Sequence, residues 1–189
     1  MGHHIDRLIK YNKANFSIHY PPRYINNIYF DTIDYKNYFD NIEGDTKRKK
    51  VRIRWYGEFF GINNKGKIEF KEKNGPVVRK IQKKIENFEL TSKINLNKLE
   101  KIWNYKIPIL KQLKPSVINR YYRKYYISND KNIRLTIDRN QTFSKPSKPY
   151  NFKKLNKYFE PIILEIKYNV ENHRKAYIVT NDLEARVRK

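Results

Sequence analysis

Arg48, Lys50, Arg52 and Arg54 occupy every second position of one short stretch. Residues two apart in an extended strand share a face, so these four cations project to one side while Val51, Ile53 and Trp55 project to the other. The same alternation recurs along the chain. Lys67, Glu69, Lys71 and Lys73 oppose Ile68 and Phe70, and Arg134, Thr136 and Asp138 oppose Ile133, Leu135 and Ile137. Glu165 and Lys167 oppose Leu164, Ile166 and Tyr168, and a strand from Val117 puts Tyr121, Arg123 and Tyr125 together.

Two readings of this pattern stand side by side. An antiparallel sheet that buries one face and wets the other would carry the charges as its wet side. Alternatively, the charged faces line an interior. The faces are built of Arg and Lys where an ordinary surface would mix in Ser, Thr and Gln, and the exceptions are single carboxylates among cations, Glu69, Asp138 and Glu165. Five or more such strands suffice to curl and close a barrel around its own polar face, with helices over the apolar exterior.

Cations that face one another repel strongly at low effective dielectric. A bound polyanion removes that repulsion and gains charge-assisted hydrogen bonds, and arginine forks match phosphate with two bonds each. A carboxylate beside a phosphate calls for a cation between them. Mg²⁺ or Mn²⁺ takes one or two carboxylates together with the phosphate oxygens. Glu165 is the leading candidate metal ligand, with Glu69 and Asp138 as helpers. For Glu69 and Asp138, an ion pair with a neighbouring Arg or Lys is the equal alternative.

The elements that position these residues read as an α+β chain with an antiparallel sheet. Residues 3 to about 18 carry Ile5, Leu8, Ile9 and Phe16 at helical spacing, and Pro21 and Pro22 end that helix. Strands are expected at Tyr24–Thr32, Arg48–Phe59, Lys67–Lys73, Val77–Ile85, Val117–Ser128, Asn132–Arg139 and Pro161–Tyr168. A polar stretch runs to Asp45. Asn63, Asn64 and Gly66 mark one hairpin turn, and Asn74, Gly75 and Pro76 another. Asn95 to Leu113 has helical spacing broken by Pro108, Ser144 to Asn151 reads as a loop, and the chain from Glu171 as helical. No internal repeat or second domain is visible.

Composition bounds the partners. The 189 residues carry a formal charge of +23, from 42 Lys and Arg against 19 Asp and Glu. This favours polyanions: phosphate chains, nucleic acid or acidic membrane surfaces. Lys, Asn, Ile and Tyr rise together, a bias of AT-rich coding, so position rather than total charge carries the argument. An aromatic content of 15% argues for a folded domain over a basic tail. No apolar run reaches the roughly 20 residues that span a bilayer, and no signal-peptide core is present. The absence of cysteine excludes disulfides and thiolate metal sites, and a cytoplasmic location is the default expectation. His3, His4, His19 and His173 read as terminal or surface residues, and no nucleophile–base constellation is visible. Arg48 to Arg52 resembles a nucleic-acid patch, but its alternation with Val51 and Ile53 favours a strand. Tyr121, Tyr122, Tyr125 and Tyr126 are better placed to fill and line a barrel than to stack on bases.

Taken together, these stretches resemble the VTC domain, the polyphosphate polymerase branch of the triphosphate tunnel (CYTH-like) metalloenzymes. The resemblance rests on Asn26-Asn27-Ile28-Tyr29-Phe30-Asp31-Thr32 and on Arg48-x-Lys50-Val51-Arg52-Ile53-Arg54-Trp55-Tyr56-Gly57. It continues through Glu69-Phe70-Lys71-x-Lys73 and Asn119-Arg120-Tyr121-Tyr122-Arg123-x-Tyr125-Tyr126. Arg134-Leu135-Thr136-Ile137-Asp138 and Leu164-Glu165-Ile166-Lys167-Tyr168 complete it, over roughly residues 20 to 188. It implies a β-barrel tunnel dependent on Mn²⁺ or Mg²⁺ that transfers the ATP γ-phosphoryl group to a growing polyphosphate chain and releases ADP. By position it makes Arg52, Arg54, Lys71, Arg123 and Arg134 the phosphate ligands, Glu165 the metal ligand and Lys80 an extra tunnel cation. Arg48, Lys50, Lys167 and Tyr121 join Lys80 as candidate substrate-binding residues. Relative to the family pattern, a first strand with a Glu-x-Lys pair and a C-terminal Ser-Lys-Tyr-like segment are missing. The expectation is one tunnel domain over residues 1–189, truncated at both ends. The alternatives are a tunnel-type triphosphatase and a non-catalytic barrel that binds polyphosphate or nucleic acid, nucleic acid being the disfavoured partner.

Overall fold

A strand that alternates apolar and charged residues can bury only one of its faces, so it needs neighbours with the same phase. The chain supplies them by antiparallel pairing. The computed structural model describes residues 2–63, 65–85, 88–90, 113–147, 151–155 and 161–183. Its elements are α1 (Gly2–Lys10), β1 (Ser17–Asp31), α2 (Lys36–Ile42), β2 (Lys47–Tyr56), β3 (Gly61–Asn63), β4 (Gly66–Asn74) and β5 (Val77–Ile85). After β6 (Phe88–Leu90) come β7 (Lys114–Ile127), β8 (Arg134–Ser147), β9 (Asn151–Leu155) and β10 (Ile163–Lys167). A 3₁₀ turn at Val170–Asn172 then leads into α3 (His173–Asp182). The hydrogen-bonded strand order is β10-β8-β7-β1-β2-β4-β5, with β9 also on β8, while β3 and β6 form a separate pair. No helix among the described residues is long and apolar enough to cross a membrane.

The chain divides into two compact units. One comprises residues 1–23, 122–140 and 159–189. In it the apolar face of β8 and β10 meets α1 and α3, which bury Ile9, Ile133, Leu135, Ile137, Ala176, Val179 and Leu183 together. Asp6 fastens α1 from the outside, accepting from Arg139 at 2.9 Å and from Lys124 at 3.3 Å. Burial pushes the Asp6 carboxyl up, but these two cations outweigh it and hold it below the usual carboxylate range.

The other unit comprises residues 24–121 and 141–158. Its core collects Ile28, Phe30, Val51, Ile53, Trp55, Ile68, Ile85 and Ile118 from β1, β2, β4, β5 and β7. In β2 and β4 these residues lie on the apolar phase, so the opposite phase carries Arg52, Arg54, Lys67 and Glu69. The registers are continuous. β2 pairs with β1 from Ile25↔Tyr56 to Phe30↔Val51 and with β4 from Lys47↔Asn74 to Arg54↔Lys67.

The element reading holds for most strands and fails at instructive places. The first helix ends at Lys10, not near residue 18. Asn12 closes it, accepting from the Ala14 amide at 2.9 Å and donating to the Val179 carbonyl at 3.3 Å, and Asn15 adopts φ 49°. Phe16 reaches the core from beyond the helix. Pro21 and Pro22 sit inside β1, before its pairing with β2 begins at Ile25. The polar stretch before Asp45 contains α2, which was not expected. β2 and β4 pair antiparallel as the expected hairpin, and the connection between them carries β3, which pairs with β6. β8 continues through Ser144 to Ser147 and pairs with β9, so the expected loop there is largely strand. The expected helix from Asn95 lies outside the described residues.

Candidate functional site

The polar face of the larger unit is organised in cross-strand rows. One row runs Tyr29–Arg52–Glu69–Gln82 across β1, β2, β4 and β5. Glu69 Oε2 accepts from Arg52 Nε at 2.6 Å and from its Nη2 at 2.6 Å, while Gln82 Nε2 donates to Oε1 at 2.5 Å. Arg52 Nη1 donates to the Tyr29 hydroxyl at 3.2 Å. Glu69 is buried, at 5% exposure, which by itself raises its pKa. Arg52, Arg54 and Lys80 overcome that and keep it ionised below the ordinary carboxylate range. Burial pulls Arg52 down in turn, and Tyr29 and Glu69 reverse it.

The next row sets Asn27 of β1 opposite Arg54, Arg54 opposite Lys67, and Lys67 opposite Lys84. Arg54 Nε donates to Asn27 Oδ1 at 2.9 Å, and Asn27 Nδ2 donates to Asn119 Oδ1 at 2.9 Å. Arg54 Nη2 reaches the Tyr121 hydroxyl at 3.4 Å. On the other side of the Arg52 row, Lys50 stands opposite Lys71 and Lys71 opposite Lys80, and Arg48 opposite Lys73. Lys50, Lys71 and Lys80 are exposed.

The smaller unit holds a second cluster. Arg123 grips Asp138 with both ends of its fork, Nε to Oδ1 at 2.5 Å and Nη2 to Oδ2 at 2.6 Å. Glu165 stands opposite Thr136, and Lys167 opposite Arg134, in the β8–β10 register. Lys167 Nζ lies 3.2 Å from Glu165 Oε1, and Arg123 Nη2 lies 3.6 Å from Oε2. Asp138 and Arg123 are nearly buried, whereas the Glu165 side chain is 42% exposed.

Arg48, Lys50, Arg52, Arg54, Glu69, Lys71, Lys80 and Tyr121 therefore belong to the larger unit, and Arg123, Arg134, Asp138, Glu165 and Lys167 to the smaller. Glu69 and Asp138 are found in ion pairs, the alternative their sequence positions left open. Asp138 gives both oxygens to Arg123, and Glu69 gives one to Arg52 and the other to Gln82, which suits both to position side chains. Among the described residues no three His, Asp or Glu side chains gather as a metal site. A divalent ion that arrives with phosphate oxygens needs only one or two carboxylates, and Glu165 fits that requirement, being half-exposed and lightly held. Sequence reasoning missed Asn27, Asn119, Tyr29 and Gln82 as supports. For Asn27 and Tyr29 the signal was present: both are polar-tipped residues in the same period-two phase as Asp31.

No curated protein matches the chain in sequence. Among solved structures, it is similar to the putative adenylyl cyclase HpAC1 from Hippeastrum, a protein described as having a dominant triphosphatase activity. The match has a TM-score of 0.53 at 13% identity and covers 88% of this chain and 75% of that one. That likeness carries the fold, and the expected α+β architecture of the tunnel type stands. The VTC domain family matches residues 4–188. The chain belongs to the VTC domain family.

Proposed function

We propose that this chain is a metal-dependent phosphotransferase domain that moves the γ-phosphoryl group of ATP onto a polyphosphate chain. The observation that carries the reading is the set of like-charged rows, Lys50 opposite Lys71 opposite Lys80, Arg48 opposite Lys73, and Arg54 opposite Lys67 opposite Lys84. Like charges directly opposite destabilise a sheet, and a bound phosphate chain turns that cost into attraction. Membership of the VTC domain family supports the choice of polyphosphate.

In this reading a terminal oxygen of the acceptor chain attacks the γ-phosphorus. The bond from that phosphorus to the β,γ-bridging oxygen breaks, and ADP leaves with the electron pair. Arg52, held by Glu69 and Tyr29, and Arg54, held by Asn27 and Tyr121, would turn their remaining N–H groups to phosphate oxygens, with Lys71 adding charge in the same unit. Arg123 and Arg134 would offer the same chemistry in the smaller unit. Such transfer needs alignment and charge neutralisation more than covalent chemistry. When bound, Mn²⁺ or Mg²⁺ neutralises phosphate charge next to Glu165.

A second reading is hydrolysis of a triphosphate, and the activity described for the Hippeastrum protein favours it. The test is incubation of purified protein with ATP and Mn²⁺, with gel analysis for long-chain polyphosphate and detection of ADP. Polymer with ADP supports transfer to polyphosphate. Orthophosphate without polymer replaces it with the triphosphatase reading. No turnover with tight, strongly salt-dependent, metal-independent anion binding leaves only a binding barrel.

A further inference from the structure

Thr136 is a residue of the smaller unit whose side chain the fold does not explain. It lies on the charged phase of β8, between Arg134 and Asp138, and directly opposite Glu165 of β10. Its Oγ1 is fully buried, and no hydrogen-bond partner reaches it among the described residues. A buried hydroxyl without a partner is less favourable than a methyl group of the same shape. Valine would keep the β-branched geometry that suits a strand and remove that cost. The neighbouring carboxylates are committed elsewhere: Asp138 gives both oxygens to Arg123, and Glu165 faces Lys167 and Arg123.

We propose that Thr136 is a further binding residue of this cluster, its hydroxyl donating to a phosphoryl oxygen of the bound triphosphate. The inference rests on the phosphate-binding reading given above and adds a neutral donor to it. The chemistry fits the surroundings. Arg123, Arg134 and Lys167 share the face and draw an anion to it, and a hydroxyl can turn its proton toward an oxyanion without adding charge. Glu165, as the cross-strand neighbour, is placed to cover the hydroxyl in the ligand-free protein. Its contacts are 3.2 Å to Lys167 and 3.6 Å to Arg123, and a polyanion that engages those cations releases it.

The experiment uses inorganic tripolyphosphate as the probe, with binding followed by calorimetry and the ligand-free Tm measured in parallel. Thr136→Val is expected to melt at the wild-type temperature or above it. The same variant should bind tripolyphosphate about 10- to 150-fold more weakly, the loss of one hydrogen bond to a charged group. Thr136→Ser should stay within about threefold of wild type, because it keeps the donor. Equal binding by Thr136→Val and wild type overturns the inference and leaves the phosphate-binding reading standing. A lowered ligand-free Tm in Thr136→Val also overturns it, since the hydroxyl would then have a partner within the fold. If wild type itself fails to bind tripolyphosphate, the functional reading falls and takes this inference with it.

Discussion

Arg123 meets Asp138 through two parallel hydrogen bonds, Nε to Oδ1 at 2.5 Å and Nη2 to Oδ2 at 2.6 Å, with both side chains nearly buried. The larger unit repeats the device with Arg52, whose Nε and Nη2 both fall on Glu69 Oε2. In each case a strand arginine on the polar phase is held by one carboxylate from another strand. The clamp fixes the guanidinium plane and spares the arginine the disorder of a long side chain. It does so at the cost of desolvating two charges, so the pair is better evidence of positioning than of stability.

Breaking such a pair from one side leaves an uncompensated buried charge. Asp138→Ala is therefore expected to destabilise the protein by about 3–5 kcal/mol in denaturant titrations. Replacing both partners, Arg123→Met with Asp138→Leu, should restore much of that loss, because no orphan charge remains. A single variant as stable as wild type would show the clamp to be solvated in solution.

Arg54 depends on Asn27 for its aim, and the two make separable predictions. Arg54→Ala should weaken tripolyphosphate binding by about 1–3 kcal/mol, the worth of a charge-assisted contact, and Arg52→Ala likewise. Asn27→Ala keeps the guanidinium but frees its Nε, so its binding should fall by less than in Arg54→Ala. It should also lose stability, because Asn119 loses its partner. Calorimetry on the three variants checks the order. Arginine variants that bind as tightly as wild type would remove these residues from the site.

Glu165 carries the metal assignment by itself. Glu165→Gln keeps the shape and removes the charge, so metal-dependent turnover should disappear while binding of tripolyphosphate is kept or tightened. Turnover assayed across a Mn²⁺ titration decides it. Unchanged activity in the variant would strip Glu165 of its role.

The strands were legible because alternation is a local signal. Val51, Ile53 and Trp55 announced the buried face of β2 without any knowledge of its neighbours, and Val77–Ile85 was read to the residue. α2 was illegible for a physical reason. Its one buried residue is Asp40, and Tyr38, Phe39 and Ile42 face outward, so hydrophobic periodicity had nothing to report. What builds it is Asp31, which accepts from the amides of Thr32, Asn37 and Tyr38 at 2.8, 2.9 and 3.0 Å. At the site, composition and phase gave the cations. Which carboxylate serves an arginine and which stays available was not readable, because that depends on the register between strands, which alternation within one strand does not set.

Acid should find the Glu69 clamp through its titration. Burial raises the Glu69 pKa, but Arg52, Arg54 and Lys80 lower it further, so the folded value lies below the unfolded one. A group depressed in the folded state contributes stability in full above its unfolded pKa, about 4.3 for glutamate, and loses it as pH falls through the folded value. Unfolding free energy measured from pH 6 downward should therefore decline below about pH 4.5. Glu69→Gln removes the titrating group, so its decline should be shallower than that of wild type, from a lower starting stability at pH 6. Asp6 is depressed in the same direction by Arg139 and Lys124, so wild type with Glu69 replaced should retain part of the slope. Parallel curves for wild type and Glu69→Gln would mean that Glu69 titrates alike in both states, and the cations around it would then not be holding it.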